Sequence, residues 1–374
     1  MQRRVSFRSD WQFALAITVL LRLVYSAIAA IASVVIHPNT ALVRSNALTE
    51  NLPLSGTWRY AWLGIWERFD TLWYLRIAKR GYDLPPAVVF YPLYPCLIRI
   101  LSWIIDPTAG ALLISTVAAF FYFYGLQRLA KLELPDGNPR RTALIAAVWP
   151  ASFFFFAGYT EALACALIVW CIYWGRREDW LPASLCALLA GLTRSAGTLL
   201  IVPLVIIAWR ARGNWTSRAW ILLSPLGTLS YWLWLHETHR LSVVVAYRTF
   251  WSTEAAAPWT TLWVAIRSLA DRFDWLVLIS LVALVWFVIA GVIARRRTED
   301  RCFSAAVIVH LLLRFCWPSL LGAPRYLLSI YPAYLTAGER TQTINRTRFA
   351  FLCSVLFAIN LGWMWAFLNW SLVP

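Results

Sequence analysis

Apolar runs dominate the chain. They recur at about 11–36, 110–130, 142–157, 159–175, 183–193, 196–209, 219–236, 274–294, 302–320, 326–338 and 348–368. Short polar stretches separate them, and several carry arginine pairs or triplets. A helix needs about 20 apolar residues to cross a bilayer. Lipid also forces each crossing segment to satisfy its own backbone, which a helix does. The pattern therefore predicts an all-α polytopic membrane protein, with residues 1–374 forming a single integral membrane domain. Some runs are shorter than a simple span. Neighbours such as 183–193 and 196–209 must then be broken or tilted. One further run, 88–105, is short and contains Pro92 and Pro95.

Composition supports lipid as the solvent. Of 374 residues, 60% are hydrophobic and only 14% are charged, against about 25% charged in soluble domains. The net charge of +16 would suggest nucleic acid in a soluble protein. Here the basic residues sit in runs between apolar stretches, as in Arg295-Arg296-Arg297, which is how cytoplasmic loops are marked. No nucleic-acid partner is expected. Lys79 and Lys131 are the only lysines, an arginine bias that fits a GC-rich bacterial gene. The seven cysteines mostly lie in apolar runs without zinc-ligand spacing and read as packing residues. The run 11–36 follows Arg3, Arg4 and Arg8 and lacks a small-residue cleavage site, so it reads as a retained span.

The basic runs also order the crossings. With the N-terminus in the cytoplasm, residues 37–87 form an outer loop. If 88–105 crosses fully, Arg128, Lys131, Arg140 and Arg141 fall outside, against the positive-inside rule. If 88–105 is re-entrant or interfacial, every basic run falls inside. That eleven-span arrangement is preferred, with a twelve-span one as the alternative. It makes 37–105 an external loop plus re-entrant segment. It also puts the 159–161 tip, Arg194, loop 237–273 and the Pro324-Arg325 turn on the outer face.

The stretch WERFDTLWYLRIAKRGYD, residues 66–83, is the most informative. Read as a helix, Trp66, Phe69, Trp73 and Ile77 form an apolar stripe. Asp70 then lies about 40° from Trp66 on the same face, beside Trp73 and Tyr74, while Arg68 and Lys79 take the solvated face. A carboxylate held among aromatics suits a general base for a hydroxyl group, and sugars stack on such rings. The alternative is that Asp70 pairs with an arginine and anchors an interfacial helix. In VVFYPLYPCLIRIL, two prolines three apart break regular helix, and Arg99 needs an anion or the interface. Glu161 either meets the dipole of the helix it opens or faces Asp70. Arg194, in GLTRSAG, interrupts an apolar run, where arginine is costly and usually functional. Arg325 and Tyr326, in GAPRYLLSIYPAY, sit at another outer helix start. Each arginine pairs with an acid such as Glu161 or Glu254, or awaits a ligand phosphate. His236 and His239 lack a third ligand, so no metal is assigned. G-x-x-x-x-G-K-[ST], G-x-S-x-G and H-E-x-x-H are absent, which argues against familiar nucleotide-driven, serine-hydrolase and zincin chemistry.

In their order, RFDTLWYLRIAKRGYD, VVFYPLYPCLIR, WPASFFFFAGYTEAL, GLTRSAG and APRYLLSIYP resemble the GPI mannosyltransferase II (PIG-V type) family and its bacterial relatives. The resemblance runs from about 60 to 335. It implies a GT-C-type bundle of about eleven transmembrane helices, with interfacial helices in the first external loop. It implies inverting transfer of a sugar, typically mannose, from a polyprenyl-phosphate donor to a hydroxyl on a glycan, lipid or protein. No cofactor is implied. Asp70 takes the family's first-loop aspartate position, with Trp66, Trp73, Tyr74, Arg99, Glu161, Arg194, Arg325 and Tyr326 as substrate-binding candidates. The family more often has tryptophan before this acid, where Phe69 stands here. A bacterial chain lacks a GPI pathway, so the acceptor does not carry over. The expected location is the bacterial cytoplasmic membrane, with the site facing outward. The rival reading is a transporter or lipid flippase, whose charges would lie near the midplane in repeated halves; no repeat is evident.

Overall fold

A computed structural model describes residues 7–36, 56–134, 137–211, 215–271, 273–316, 320 and 322–371. The first part of the expected outer loop, 37–55, lies outside the described residues. The described residues are all-α apart from two three-residue strands. Helices of eight residues or more are numbered here. They begin with α1 (Phe7–Val35), α2 (Asp70–Arg80), α3 (Leu93–Leu101), α4 (Pro107–Glu133) and α5 (Pro139–Val148). Next come α6 (Glu161–Arg176), α7 (Trp180–Thr193), α8 (Ile201–Arg210), α9 (Leu226–Glu237) and α10 (Val243–Phe250). The last five are α11 (Pro258–Asp271), α12 (Trp275–Phe287), α13 (Thr298–Leu312), α14 (Tyr331–Arg340) and α15 (Arg346–Leu368). Strand β1 (Thr253–Ala255) pairs antiparallel with β2 (Arg314–Cys316), setting Ala255 opposite Arg314.

Four stretches, Ser9–Val35, Pro107–Glu133, Trp275–Ile293 and Arg346–Leu368, are long and apolar enough to cross a membrane. Their outer sides remain apolar: Leu20, Leu23, Val34, Val282 and Phe351 are all exposed. Lipid covers such a surface at no hydrophobic cost, whereas water would not. The chain is an all-α polytopic membrane protein. Its long helices begin where the sequence supplies caps. Asp106 accepts from the amides of Thr108 (2.8 Å) and Ala109 (3.4 Å), with Pro107 next to it at the first helical position. Asn345 likewise accepts from Arg348 N at 2.9 Å.

The other apolar runs are assembled from shorter pieces. Run 142–157 is α5, a break, then a 3-10 turn at Ser152–Phe155. Trp149 is extended (φ −56°, ψ 142°) because Pro150 excludes helix at the residue before it. Run 196–209 is a 3-10 turn, Ser195–Leu200, feeding α8. Run 302–320 stops being helical at Leu312, where Leu313 turns the chain into β2. Loop 237–273 is not irregular: it holds α10, β1 and α11. Helix α3 has nine residues, about 14 Å at helical rise, under half of a hydrocarbon core of about 30 Å.

α4 packs between α1 and α6, and α6 packs on α7. α7 and α9 approach closely at Gly227, where a Cβ would sit 2.0 Å from the Leu188 carbonyl oxygen. One end of the bundle is closed by buried charges. Arg176 meets Glu133 (3.1 Å), Asp300 (2.9 Å) and Glu299. Arg295 meets Asp300 at 3.1 Å and also Glu133. Arg210 joins through Glu299 at 2.9 Å. The arginine-bearing ends of α6, α8 and the 295–297 run are thus held at one end of the bundle. α6 leads from this network to Glu161 over 16 residues, about 24 Å.

Candidate active site

The opposite end holds a polar pocket. It is built from the start of α2, the 89–91 segment, the start of α6, the end of α7, α10, β2 and the Ala323–Tyr326 turn. Asp70 is the first residue of α2, not a mid-helix residue. Trp66 ends a 3-10 turn, and residues 67–69 are not helical. The expected stripe through Trp66, Phe69 and Asp70 therefore does not form. Phe69 has φ 47° and ψ −119°, a region that side chains avoid and that costs about 1–3 kcal/mol. It is held there by packing, with its ring 5.7 Å from Phe367 and 5.0 Å from Trp370. Arg68, expected on a solvated face, is buried. It donates to the carbonyls of Leu368 (3.1 Å), Gly64 (3.1 Å) and Glu67 (3.2 Å) and to the Tyr60 hydroxyl (2.9 Å). The loop leading to Asp70 is thereby fixed to the last helix.

Asp70 meets Arg325, whose Nη1 donates to Oδ2 at 2.5 Å. Arg325 Nε lies 3.2 Å from Glu161 Oε1, and Arg194 donates to the same carboxylate. Arg325 also sits over the rings of Tyr159 (5.2 Å), Tyr326 (5.0 Å) and Phe154 (5.7 Å), and Arg194 over Tyr326 (4.6 Å). Aromatic faces stabilise guanidinium groups removed from water. The Asp70 amide donates to the Tyr159 hydroxyl at 3.3 Å, and the hydroxyls of Tyr74 and Thr160 lie 3.4 Å apart. Gly158 lets the 157–160 loop reach α2, since a Cβ there would sit 2.7 Å from Thr71 Cγ2. Glu161 Oε2 is buried with no hydrogen-bond partner among the described residues. Burial pushes the Tyr247 phenol above the ordinary tyrosine range, so it stays protonated at neutral pH.

Of the candidates read from sequence, Asp70, Tyr74, Glu161, Arg194, Arg325 and Tyr326 line this pocket. The charged residues among them pair with one another, Asp70 with Arg325 and Glu161 with both Arg194 and Arg325. Three candidates lie elsewhere. Trp66 is fully buried under Arg22, whose guanidinium lies 5.7 Å from its ring. Trp73 stands one layer behind the pocket, stacked on Phe90 at 5.6 Å. Arg99 is exposed on α3, because an amphipathic helix turns such a cation outward. His236 and His239 are exposed too, and no group of three metal-ligating side chains occurs among the described residues. Sequence reading missed Tyr91, Ser195, Tyr247 and Arg314 in the pocket wall. Arg314 interrupts an apolar run as Arg194 does and carried the same signal. Tyr247 carried none.

The free space between these side chains is about 40 Å³, little more than one water's share of liquid volume. Anything larger than a water molecule enters only when some of them move. The fold and site define an all-α polytopic membrane protein with an ionic pocket at one end. No family model matches the sequence, and no curated protein does. Among solved structures the chain is similar to that of ArnT from Cupriavidus metallidurans bound to undecaprenyl phosphate. The identity is 14% and the TM-score 0.47, covering 77% of this chain and 57% of that one. The chain thus spans little more than half of that protein's length.

Proposed function

We propose that the protein is an inverting glycosyltransferase of GT-C type. In this reading it moves a sugar, mannose by family resemblance, from a polyprenyl-phosphate donor to a hydroxyl acceptor. One observation carries it. The five sequence blocks that resemble the GPI mannosyltransferase II family are far apart in the chain, yet each sends side chains into one pocket. Asp70 and Tyr74, Phe90, Glu161, Arg194, and Arg325 with Tyr326 come from the five blocks in turn.

The chemistry follows from the groups present. The acceptor oxygen attacks the anomeric carbon from the face opposite the phosphate. Asp70 takes the hydroxyl proton as the new C–O bond forms. The bond from the anomeric carbon to the phosphate oxygen breaks, and the phosphate leaves with the electron pair. Arg325 orients Asp70, and the free Glu161 Oε2 accepts from a sugar hydroxyl. Neither metal nor cofactor enters these steps. The positive-inside rule puts the arginine network in the cytoplasm and so the pocket on the outer face of a bacterial cytoplasmic membrane.

The test uses purified protein, labelled polyprenyl-phosphate mannose and extracted cell lipids and glycans. The expected outcome is a mannosylated product with inverted anomeric configuration. No transfer from any polyprenyl-phosphate sugar by folded protein would end the reading. Sidedness has its own check. In a cysteine-free background, Lys79→Cys and Arg177→Cys should react with a membrane-impermeant maleimide from opposite faces of sealed vesicles, Lys79→Cys from outside. Labelling of both from one face would overturn the arrangement.

A further inference from the structure

The three arginines of the pocket differ in what they touch. Arg325 holds Asp70 and Glu161, and Arg194 holds Glu161. Among the described residues, the hydrogen-bonding partners of Arg314 are uncharged side chains. Its Nη2 donates to Ser195 Oγ at 2.8 Å and lies 2.8 Å from His310 Nε2, and its Nη1 lies 3.5 Å from the Tyr247 hydroxyl. No carboxylate among the described residues is within ion-pair distance of it. Among the described residues three arginines face two carboxylates in the pocket lining, which leaves one positive charge unmatched there. Charges withdrawn from water are normally paired. An unmatched guanidinium beside a hydroxyl donor suits an anion, and phosphate above all.

A second cavity says what kind of phosphate. It holds about 580 Å³, within the ~300–1,000 Å³ typical of ligand pockets. Tyr91, Ser195, Tyr247 and Arg314 belong to both cavities, so they meet at that point. Away from the junction most of the wall's surface is apolar, from Trp232, Leu235, Val243, Val244 and Leu313, while His236 and Arg240 reach it from the exposed side. Glu254, also on this wall, is exposed and lies 3.7 Å from Arg248. The shape is that of an amphiphile: a charged head at the pocket and an apolar chain leading away. The strand pair fixes the head group. Arg314 is set against Ala255 in the β1–β2 ladder, and His310 stands one turn earlier on α13, so both point to Ser195.

Resting on the transfer reading above, we infer that Arg314, with Ser195 and His310, binds the phosphate of the lipid-linked donor, and that this groove takes the first units of its chain. The role expected of Arg194 or Arg325, to meet the departing phosphate, passes to the arginine that has no acid of its own.

The test measures equilibrium binding to the full chain in nanodiscs, with geranylgeranyl phosphate, geranylgeraniol and inorganic phosphate as probes. The wild type should bind the lipid phosphate and should bind neither the alcohol nor inorganic phosphate at the same concentration. Arg314→Gln should weaken that binding by roughly tenfold or more, as expected for losing a hydrogen bond to a charged group. Arg314→Lys, which keeps the charge, should lose less. Val244→Trp, which fills the groove at an exposed position, should weaken the lipid phosphate as well. Melting temperatures identify any variant that fails to fold, and Arg314→Lys and Val244→Trp then stand in for it. Unchanged affinity in folded Arg314→Gln overturns the inference, as does equal binding of inorganic phosphate. Either result would leave the transfer reading standing if sugar is still transferred. Arg314-dependent binding without transfer of any sugar would do the reverse.

Discussion

Replacing Asp70 with Asn is expected to lower sugar transfer by roughly a hundred- to ten-thousand-fold, the usual contribution of a positioned general base, while the protein still folds and inserts. The amide keeps the size of the side chain and an oxygen for Arg325, but it cannot accept the acceptor's proton. The fold should survive because Arg325 retains Glu161 at 3.2 Å and three aromatic faces. Asp70→Glu is a second arm. One added methylene displaces the carboxylate by more than 1 Å, and a 1 Å misplacement can cost roughly a hundredfold. Rates are to be compared per folded molecule, with the same melting temperature and the same lipid-phosphate affinity as the wild type. Normal transfer by Asp70→Asn would remove Asp70 from the mechanism, whatever the pocket then does.

Position within the molecule bears on the rival transporter reading. A transporter's charges belong near the bilayer midplane, often at broken helices of repeated halves. Here the ionic pocket lies at the start of α6, and the arginine network lies at its end. The pocket is a one-ended feature of the bundle. In the proposed reading its junction with an apolar groove admits a lipid-borne substrate, which sets it apart from a transporter of small soluble cargo, and product formation sets it apart from a lipid flippase.

Several of the candidates that come together in the pocket share a physical trait. Glu161, Arg194 and Arg325 are charged groups in apolar surroundings, and such groups are expensive unless they meet a partner. Their cost made them visible before any geometry was known. Asp70 also lines the pocket, but for a different reason than its sequence suggested. Helical periodicity placed it among aromatics, whereas the positive φ of Phe69 breaks that periodicity and makes Asp70 the start of a helix facing Arg325. Trp66 fell to the same break. Arg99 shows the opposite failure: a charge in a largely apolar segment can simply turn outward on a short amphipathic helix. Arg314 was hidden by treating 302–320 as one span. Its surroundings come from strand pairing with residues about 60 positions earlier, which no local pattern encodes. The span boundaries missed for a related reason, because breaks such as Trp149-Pro150 occur inside apolar runs and leave hydropathy unchanged.

At the other end of the bundle, Arg176→Met is expected to destabilise the protein by about 3–5 kcal/mol, the usual cost of removing one partner from a buried ion pair. Among the described residues, Arg176 is the one side chain that touches all three acids of this network, Glu133, Glu299 and Asp300. Without it, Arg295 is the remaining buried arginine, since Arg210 and Arg297 are about half exposed. Three carboxylates in apolar surroundings would then repel one another, and α4, α6 and α13 would lose their common staple. Methionine fills much of the volume, so the loss reports charge more than packing. The double variant Arg176→Met/Asp300→Asn separates the two further. Asparagine keeps an oxygen for Tyr331, whose hydroxyl bonds Asp300 at 2.5 Å, and one negative charge is removed with the positive one. That variant should regain much of the lost melting temperature in detergent. Because the pocket lies about 24 Å away along α6, transfer per folded molecule should stay near wild type in both. An unchanged melting temperature in Arg176→Met would show that the network does not hold this end together. A double variant no more stable than the single one would assign the loss to packing around Arg176 instead of charge.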